Sequence, residues 1–255
     1  MPRYFIQLAY NGTNYHGWQV QDNTTQTVQQ VLQDKLSIIL NQKIELVGCG
    51  RTDTGVHAKD YYAHFDSEIK GLHLLEGNYV FKFNKILPKD VAVKSIFLVK
   101  EDASARFAAE SRTYDYFIHR FKSPFINEGS LYVFGNLNID LMNEAASHLL
   151  SVNDFTSFSK VNTQTFTNNC IVTFAQWIKL SNDEFVFKIT ANRFLRNMVR
   201  AIVGTLLEVG KEKLSIDQFK TIVSNKSRSD AGTSAPAHAL YLVDIQYPKT
   251  IFNEQ

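Results

Sequence analysis

Apolar and polar positions alternate from Tyr4 to Tyr10 with the period of a half-buried strand, and an Asn11-Gly12-Thr13 turn then leads into Tyr15-His16-Gly17-Trp18-Gln19. Thr27 followed by Gln30 fits a capping box, after which Val28, Val31, Leu32, Leu36 and Ile39 recur at helical spacing up to Leu40. Short strands are expected at Ile44 to Val47 and Tyr61 to Phe65. Between them lies a loop, Gly48-Cys49-Gly50-Arg51-Thr52-Asp53-Thr54-Gly55-Val56-His57, whose glycines mark a special backbone path. A helix over Leu74 to Leu87 stops at Pro88, and Val91 to Lys100 alternates as a strand. The second half repeats the mixture. It holds a strand over Arg112 to His119, a helix over Ile139 to Leu150, a hairpin pairing Ile171 to Leu180 with Phe185 to Ala191, a helix from Phe194 to Val209 closed by Gly210, a helix over Lys213 to Val223 and a final strand over Tyr241 to Ile245. Ser224 to Ala237, rich in Ser, Gly and Ala, reads as a mobile surface loop. Hairpins and irregularly placed helices predict two α+β subdomains sharing a largely antiparallel sheet, not a doubly wound parallel one. The division is placed at residues 1–100 and 101–255, with the active-site cleft between them.

Composition narrows the class. Of 255 residues, 44% are hydrophobic and 20% charged, which is enough apolar mass for a core and too little charge for disorder. The formal net charge of +2 decides nothing about partners, so an RNA-binding face would have to come from local clustering of cations. The two cysteines, Cys49 and Cys170, form no CxxC pair and argue against a disulfide framework or a structural zinc. The N-terminus lacks the continuous apolar stretch of a signal peptide, and no 18-residue apolar run follows, so a cytoplasmic protein without a membrane span is expected.

Asp53 stands beside Arg51 in the glycine-rich loop, where a neighbouring cation favours the ionised carboxylate; an Asx-turn residue capping its own loop is the plainer alternative. Arg200 interrupts an apolar helical pattern, Met198-Val199-Arg200-Ala201-Ile202-Val203, where a cation needs a partner. Tyr114, Tyr116 and Ile118 share one strand face, by pattern alone a core face. Asp53, His57, Asp60 and His64 follow no familiar metal-ligand spacing, and His57 is expected to make structural hydrogen bonds. Gly48-x-Gly50 is not a dinucleotide fingerprint, because Asp53 stands where GxGxxG needs glycine.

Arg51 to Ala58 (RTDTGVHA) resembles the signature around the catalytic aspartate of the TruA family, tRNA pseudouridine synthase A. Tyr10 to Thr13, Gly17 to Gln21, Thr27 to Gln29, Asn84 to Val91, Ala105 to Phe107, Arg112 to Tyr116, Phe194 to Gly204, Ala235 to Ala237 and Leu240 to Leu242 resemble further blocks of that family, in order and over nearly the whole chain. Three positions depart from its pattern: Asn11 for Asp, Tyr61 for Gln, and Ala239 for Gly. The resemblance implies the pseudouridine synthase fold, two ferredoxin-like α/β subdomains with a shared, largely antiparallel central sheet and helices on one side. It implies an isomerase that turns uridine into pseudouridine at positions 38, 39 and 40 of the tRNA anticodon arm. Neither a cofactor nor a metal is expected, nor a nucleotide cofactor, and the partners are tRNA and a second subunit in a homodimer.

By the same resemblance Asp53 is the nucleophile, Tyr114 stacks on the target uracil and Arg200 forms an ion pair with Asp53. Arg51, Arg106, Phe107, Arg112 and Arg196 are candidate RNA contacts, with Arg120, Lys122 and Arg193 as further cations among aromatic residues. A carboxylate suits the chemistry because it can attack the sugar or the base, or stabilise positive charge at C1′. Two other classes compete: a metal-dependent phosphoesterase built on Asp53, His57, Asp60 and His64, and a non-catalytic RNA-binding module on the same scaffold.

Overall fold

A computed structural model describes residues 1–72, 76–160 and 166–252. Two compact units emerge, one made of Met1–Glu110 with the chain from Leu242 onward, the other of Ser111–Tyr241. Both are mixed α+β, and no helix among the described residues is long and apolar enough to cross a membrane.

The first unit contains β1 (Arg3–Tyr10), α1 (Val28–Leu40), β2 (Val47–Gly48), β3 (His57–Asp66), α2 (Glu76–Ile86) and β4 (Val91–Val99). That order, with β1 antiparallel to both β3 and β4 and β2 antiparallel to β3, is the ferredoxin-like βαββαβ arrangement. Tyr4, Phe5, Ile6 and Leu8 of β1 are buried with Leu32 and Leu36 of α1 and Phe83 of α2. At α1, Thr27 accepts from the Gln30 amide at 3.3 Å, as expected of a cap worth about 1 kcal/mol. The reciprocal half of the box does not form, because the Gln30 side chain turns to Asp34 at 2.8 Å. The strand expected at Ile44 to Val47 shrinks to two residues, and β3 begins at His57, inside the stretch expected to be loop. Residues 74 and 75 of the expected second helix lie outside the described residues.

The second unit contains β5 (Ser111–His119), β6 (Leu131–Tyr132), α3 (Ile139–His148), β7 (Val172–Lys179), β8 (Glu184–Ala191), α4 (Met198–Gly210) and α5 (Ile216–Asn225), followed by β9 (Leu240–Gln246), most of which lies in the first unit. β8 runs antiparallel between β5 and β7, and the short β6 pairs parallel with β5. The helix expected from Phe194 starts four residues later. Asn197 has φ of 66°, a left-handed conformation that no right-handed helix passes through, so Phe194 to Asn197 forms a separate approach to α4. The helix expected from Lys213 starts at Ile216, set by a complete capping box between Ser215 and Gln218. Ser224 and Asn225 complete α5, and the remainder of the expected surface loop is stitched to its surroundings. Arg228 donates to the carbonyls of Ala231 and Gly232, and the Gly232 amide donates to Thr205 Oγ1 at 3.0 Å.

Each unit closes an outer strand in the same way. Asn84 of α2 brackets Val93 of β4, donating to its carbonyl and accepting from its amide at 2.8 Å each. Asn143 of α3 brackets Trp177 of β7, at 3.2 and 2.7 Å.

Candidate active site

The Asp53 loop rests on an aromatic floor in the first unit. Trp18 and Tyr61 are buried and stack at 4.1 Å, and Tyr10 meets Tyr61 edge-on at 5.5 Å. The Tyr61 hydroxyl donates to the Gly50 carbonyl at 2.5 Å, and Tyr10 shares a hydrogen bond with Thr52 Oγ1 at 2.8 Å. From the far side, the Trp18 amide donates to the Thr52 carbonyl at 3.2 Å. The turn itself closes with Val56 N–H donating to the Asp53 carbonyl at 3.1 Å, and Gly55 takes φ of 79° at the third position, as a type II turn demands. Asp53 is thereby fixed on both sides, half-buried, with Arg51 exposed two residues earlier.

His57 is 2% exposed and accepts from the Gly12 amide through Nδ1 at 3.0 Å, the structural role expected for it. His64 accepts from the Ala105 amide at 3.1 Å, and burial, helped by the nearby Arg3 charge, pushes its imidazole down to about 4. Asp60 accepts from Gln7 at 2.7 Å and pairs with Lys94 at 3.3 Å. Three of the donor atoms on which a metal-dependent phosphoesterase would draw, Nδ1 of His57, Nδ1 of His64 and Oδ1 of Asp60, are thus committed to protein partners. Ala105 is fixed again through its carbonyl, which accepts from Tyr247 at 2.6 Å. Arg106 and Phe107 project from this anchored point, the guanidinium 5.3 Å above a Phe107 ring that is 80% exposed.

In the second unit Arg112 and Tyr114 lie on β5, opposite Ala191 and Ile189. Arg112 donates to the Asn192 carbonyl at 2.8 Å, and the half-buried Tyr114 ring meets Phe194 edge-on at 5.0 Å. Phe194, an aromatic among the cations Arg193, Arg196 and Arg200, is set against Tyr114 by the approach that precedes α4. Tyr116 and Ile118 on the same face of β5 are buried, so the core reading of that face holds for them. Arg196 is exposed on the approach to α4, its carbonyl accepting from the Lys160 amide at 3.1 Å. Arg200 is half-buried in the first turn of α4, where Nε donates to the Ala235 carbonyl at 2.7 Å. Burial raises the Tyr116 phenol above its ordinary value, with the Arg200 charge pulling the other way.

The three departures are absorbed locally. Asn11 Oδ1 accepts from Thr13 N–H at 3.0 Å, an Asx turn that Asp would make equally. Tyr61 supplies both stacking and a hydrogen bond to the loop. Ala239 is fully buried in a short 3₁₀ turn and is not among the residues with positive φ, so its backbone requires no glycine.

A family model described as tRNA pseudouridine synthase matches residues 145–248. Chains named tRNA pseudouridine synthase A are similar over essentially full length. That of Bacteroides thetaiotaomicron is 49% identical over 100% of this chain and 94% of its own. That of Parabacteroides distasonis is 50% identical over 99% and 98%, and that of Clostridium acetobutylicum 38% over 95% and 98%. The fold and the comparisons place the chain among the pseudouridine synthases. Within that class it belongs to the tRNA pseudouridine synthase A family.

Proposed function

We propose that the chain is a tRNA pseudouridine synthase that isomerises uridines at positions 38, 39 and 40 of the anticodon stem-loop, acting in the cytoplasm as a homodimer. Full-length similarity at 49 to 50% identity to synthases of this name carries the reading. The reaction breaks the N1 to C1′ bond, turns the bound uracil and joins C5 to C1′. N1 gains a proton and C5 loses one, so atoms and electrons balance without redox change or energy input.

Asp53 is the nucleophile in this reading, and the rigidity of its loop supports the role, because a carboxylate placed by the backbone on both sides needs little reorganisation to reach a glycosidic carbon. Tyr114 stacks on the flipped uracil, with Phe194 bracing its ring edge-on. Arg200 pairs with Asp53 and keeps it ionised and oriented. Arg51, Arg106, Phe107, Arg112 and Arg196 contact the RNA, the exposed Phe107 ring offering a stacking face and the guanidiniums offering phosphate attraction.

The test is tritium release from C5-labelled uridine in unmodified tRNA, with chelator present, by the wild-type chain and by Asp53→Asn. Release by the wild type and none by a variant that still binds the tRNA supports both the isomerase and its nucleophile. Bound tRNA without release by the wild type overturns the assignment in favour of a binding module, and release that stops with chelator favours a metal enzyme.

A further inference from the structure

Arg200 is held from outside its helix. Its Nε–H donates to the Ala235 carbonyl at 2.7 Å, while the Ala235 amide donates to the Arg200 carbonyl at 2.9 Å, so residues 200 and 235 are bonded reciprocally. The Ala235 to Pro236 peptide carries no N–H, and the proline ring disfavours helical backbone at Ala235. One residue further, the Pro236 carbonyl accepts from the Tyr116 hydroxyl at 2.9 Å. Tyr116 is fully buried on β5, two residues after Tyr114 on the same strand face.

Further bonds and a close contact seat this strap, Thr233 to Pro236, on α4. A β-carbon on Gly204 would stand 1.8 Å from the Thr233 carbonyl, so the strap runs against bare helix backbone there. Ser234 Oγ accepts from Asn197 Nδ2 at 2.6 Å and from Arg228 Nη2 at 2.8 Å. With Nε engaged, the plane of the Arg200 guanidinium is set by the strap, and its Nη fork projects in one direction.

We propose that Tyr116 is a positioning residue for the isomerisation: through Pro236 and Ala235 it fixes the strap that aims the Arg200 guanidinium. The inference rests on the reading that Arg200 serves the reaction. It also accounts for a buried phenol with a hydrogen bond beneath the proposed stacking tyrosine, since one strand then carries the base platform and the anchor of the cation.

The test compares wild type, Tyr116→Phe, Arg200→Lys and the double variant in steady-state tritium release, with the Arg200 Nε–H resonance read by NMR and assigned by its loss in Arg200→Lys. Removing only the hydroxyl is expected to lower kcat about tenfold, to leave KM for tRNA within about twofold, and to speed Nε–H exchange about tenfold. The double variant is expected to be no slower than Arg200→Lys alone. An unchanged kcat and exchange rate in Tyr116→Phe, a rise in KM alone, or fully additive losses overturns the proposal. If Arg200→Lys keeps wild-type turnover, the catalytic reading of Arg200 fails, while the exchange rate still decides whether Tyr116 restrains the guanidinium. Should Tyr116→Phe not fold, Ser234→Ala loosens the same strap from its other end. It is expected to show the same kcat loss without a KM change, and wild-type kcat with unchanged exchange overturns the proposal there too.

Discussion

Gly17 faces the Thr52 carbonyl so closely that a β-carbon there would lie 2.5 Å from the oxygen, at a backbone φ of 87°. The residue that follows Thr52 is the proposed nucleophile, so the Trp18 loop and the Asp53 loop are fitted to each other through bare backbone.

Gly17→Ala is therefore expected to displace Thr52 and Asp53. Turnover should fall about 100-fold, with a stability loss of about 1–3 kcal/mol. Single-turnover tritium release alongside thermal melting separates the two effects, and wild-type turnover would show that the contact does not place Asp53.

Tyr61→Phe keeps the stack on Trp18 and deletes the bond to Gly50. A net loss of about 1 kcal/mol, or about 3 °C in Tm, is expected. The same variant should lower kcat by less than about fivefold, because the other supports of the loop remain. Calorimetry and kinetics on one preparation check both.

Phe107→Ala removes a ring that is 80% exposed and therefore contributes little to folding. Expected are an unchanged Tm and a KM for tRNA raised about tenfold, within the range of one lost base-stacking contact. A KM equal to that of the wild type would remove Phe107 from the RNA-contacting surface.

His64 makes stability depend on pH. Its imidazole titrates near 6.5 in the unfolded chain and at about 4 in the fold. Between those values the unfolded chain holds the extra proton, so stability is full above pH 6.5, declines as the pH falls towards 4, and levels off below. A decline on the order of 2 kcal/mol is expected from urea midpoints taken across that window, and it should be absent in His64→Gln. Asp66, held below its ordinary value chiefly by its hydrogen bonds with Arg3, loses its own contribution only below about pH 4, outside this window. Protonation of the folded protein also removes the Nδ1 acceptor of the Ala105 amide, so KM for tRNA should rise only as the pH falls through about 4, at the lower end of that window.

Much of this architecture was legible in the chain. Alternation found β1, β4, β5, β7, β8 and β9, although β1 and β8 each bury three consecutive side chains, and periodicity found α1 and α3 because each presents one apolar stripe. It overran the start of α4, since Phe194 and Leu195 continue the apolar pattern while Asn197 breaks the helix by its backbone conformation, which hydrophobic spacing does not encode. The Arg200 environment was half legible. A cation within an apolar pattern signals a need for partners, but one of them is a backbone carbonyl 35 residues away in a segment composed like a loose loop. Long-range bonds to backbone leave no trace in residue type. Tyr61 shows the converse, a departure from the family pattern whose function became visible only once its ring lay on Trp18 and its hydroxyl on Gly50.

The asparagines that bracket Val93 and Trp177 bear on how the protein behaves in a crowded solution. An outermost strand with unsatisfied amides and carbonyls is a template on which another chain can add a strand, and long flat edges of this kind seed aggregation. Here a side-chain amide occupies the place a foreign strand would take, two residues in from one end of each strand, at Val93 within Val91–Val99 and at Trp177 within Val172–Lys179. An incoming strand would have to displace a helix-borne amide group before it could pair along the full length of either edge. Two helix-borne carboxamides thus shield the outer strands from intermolecular pairing.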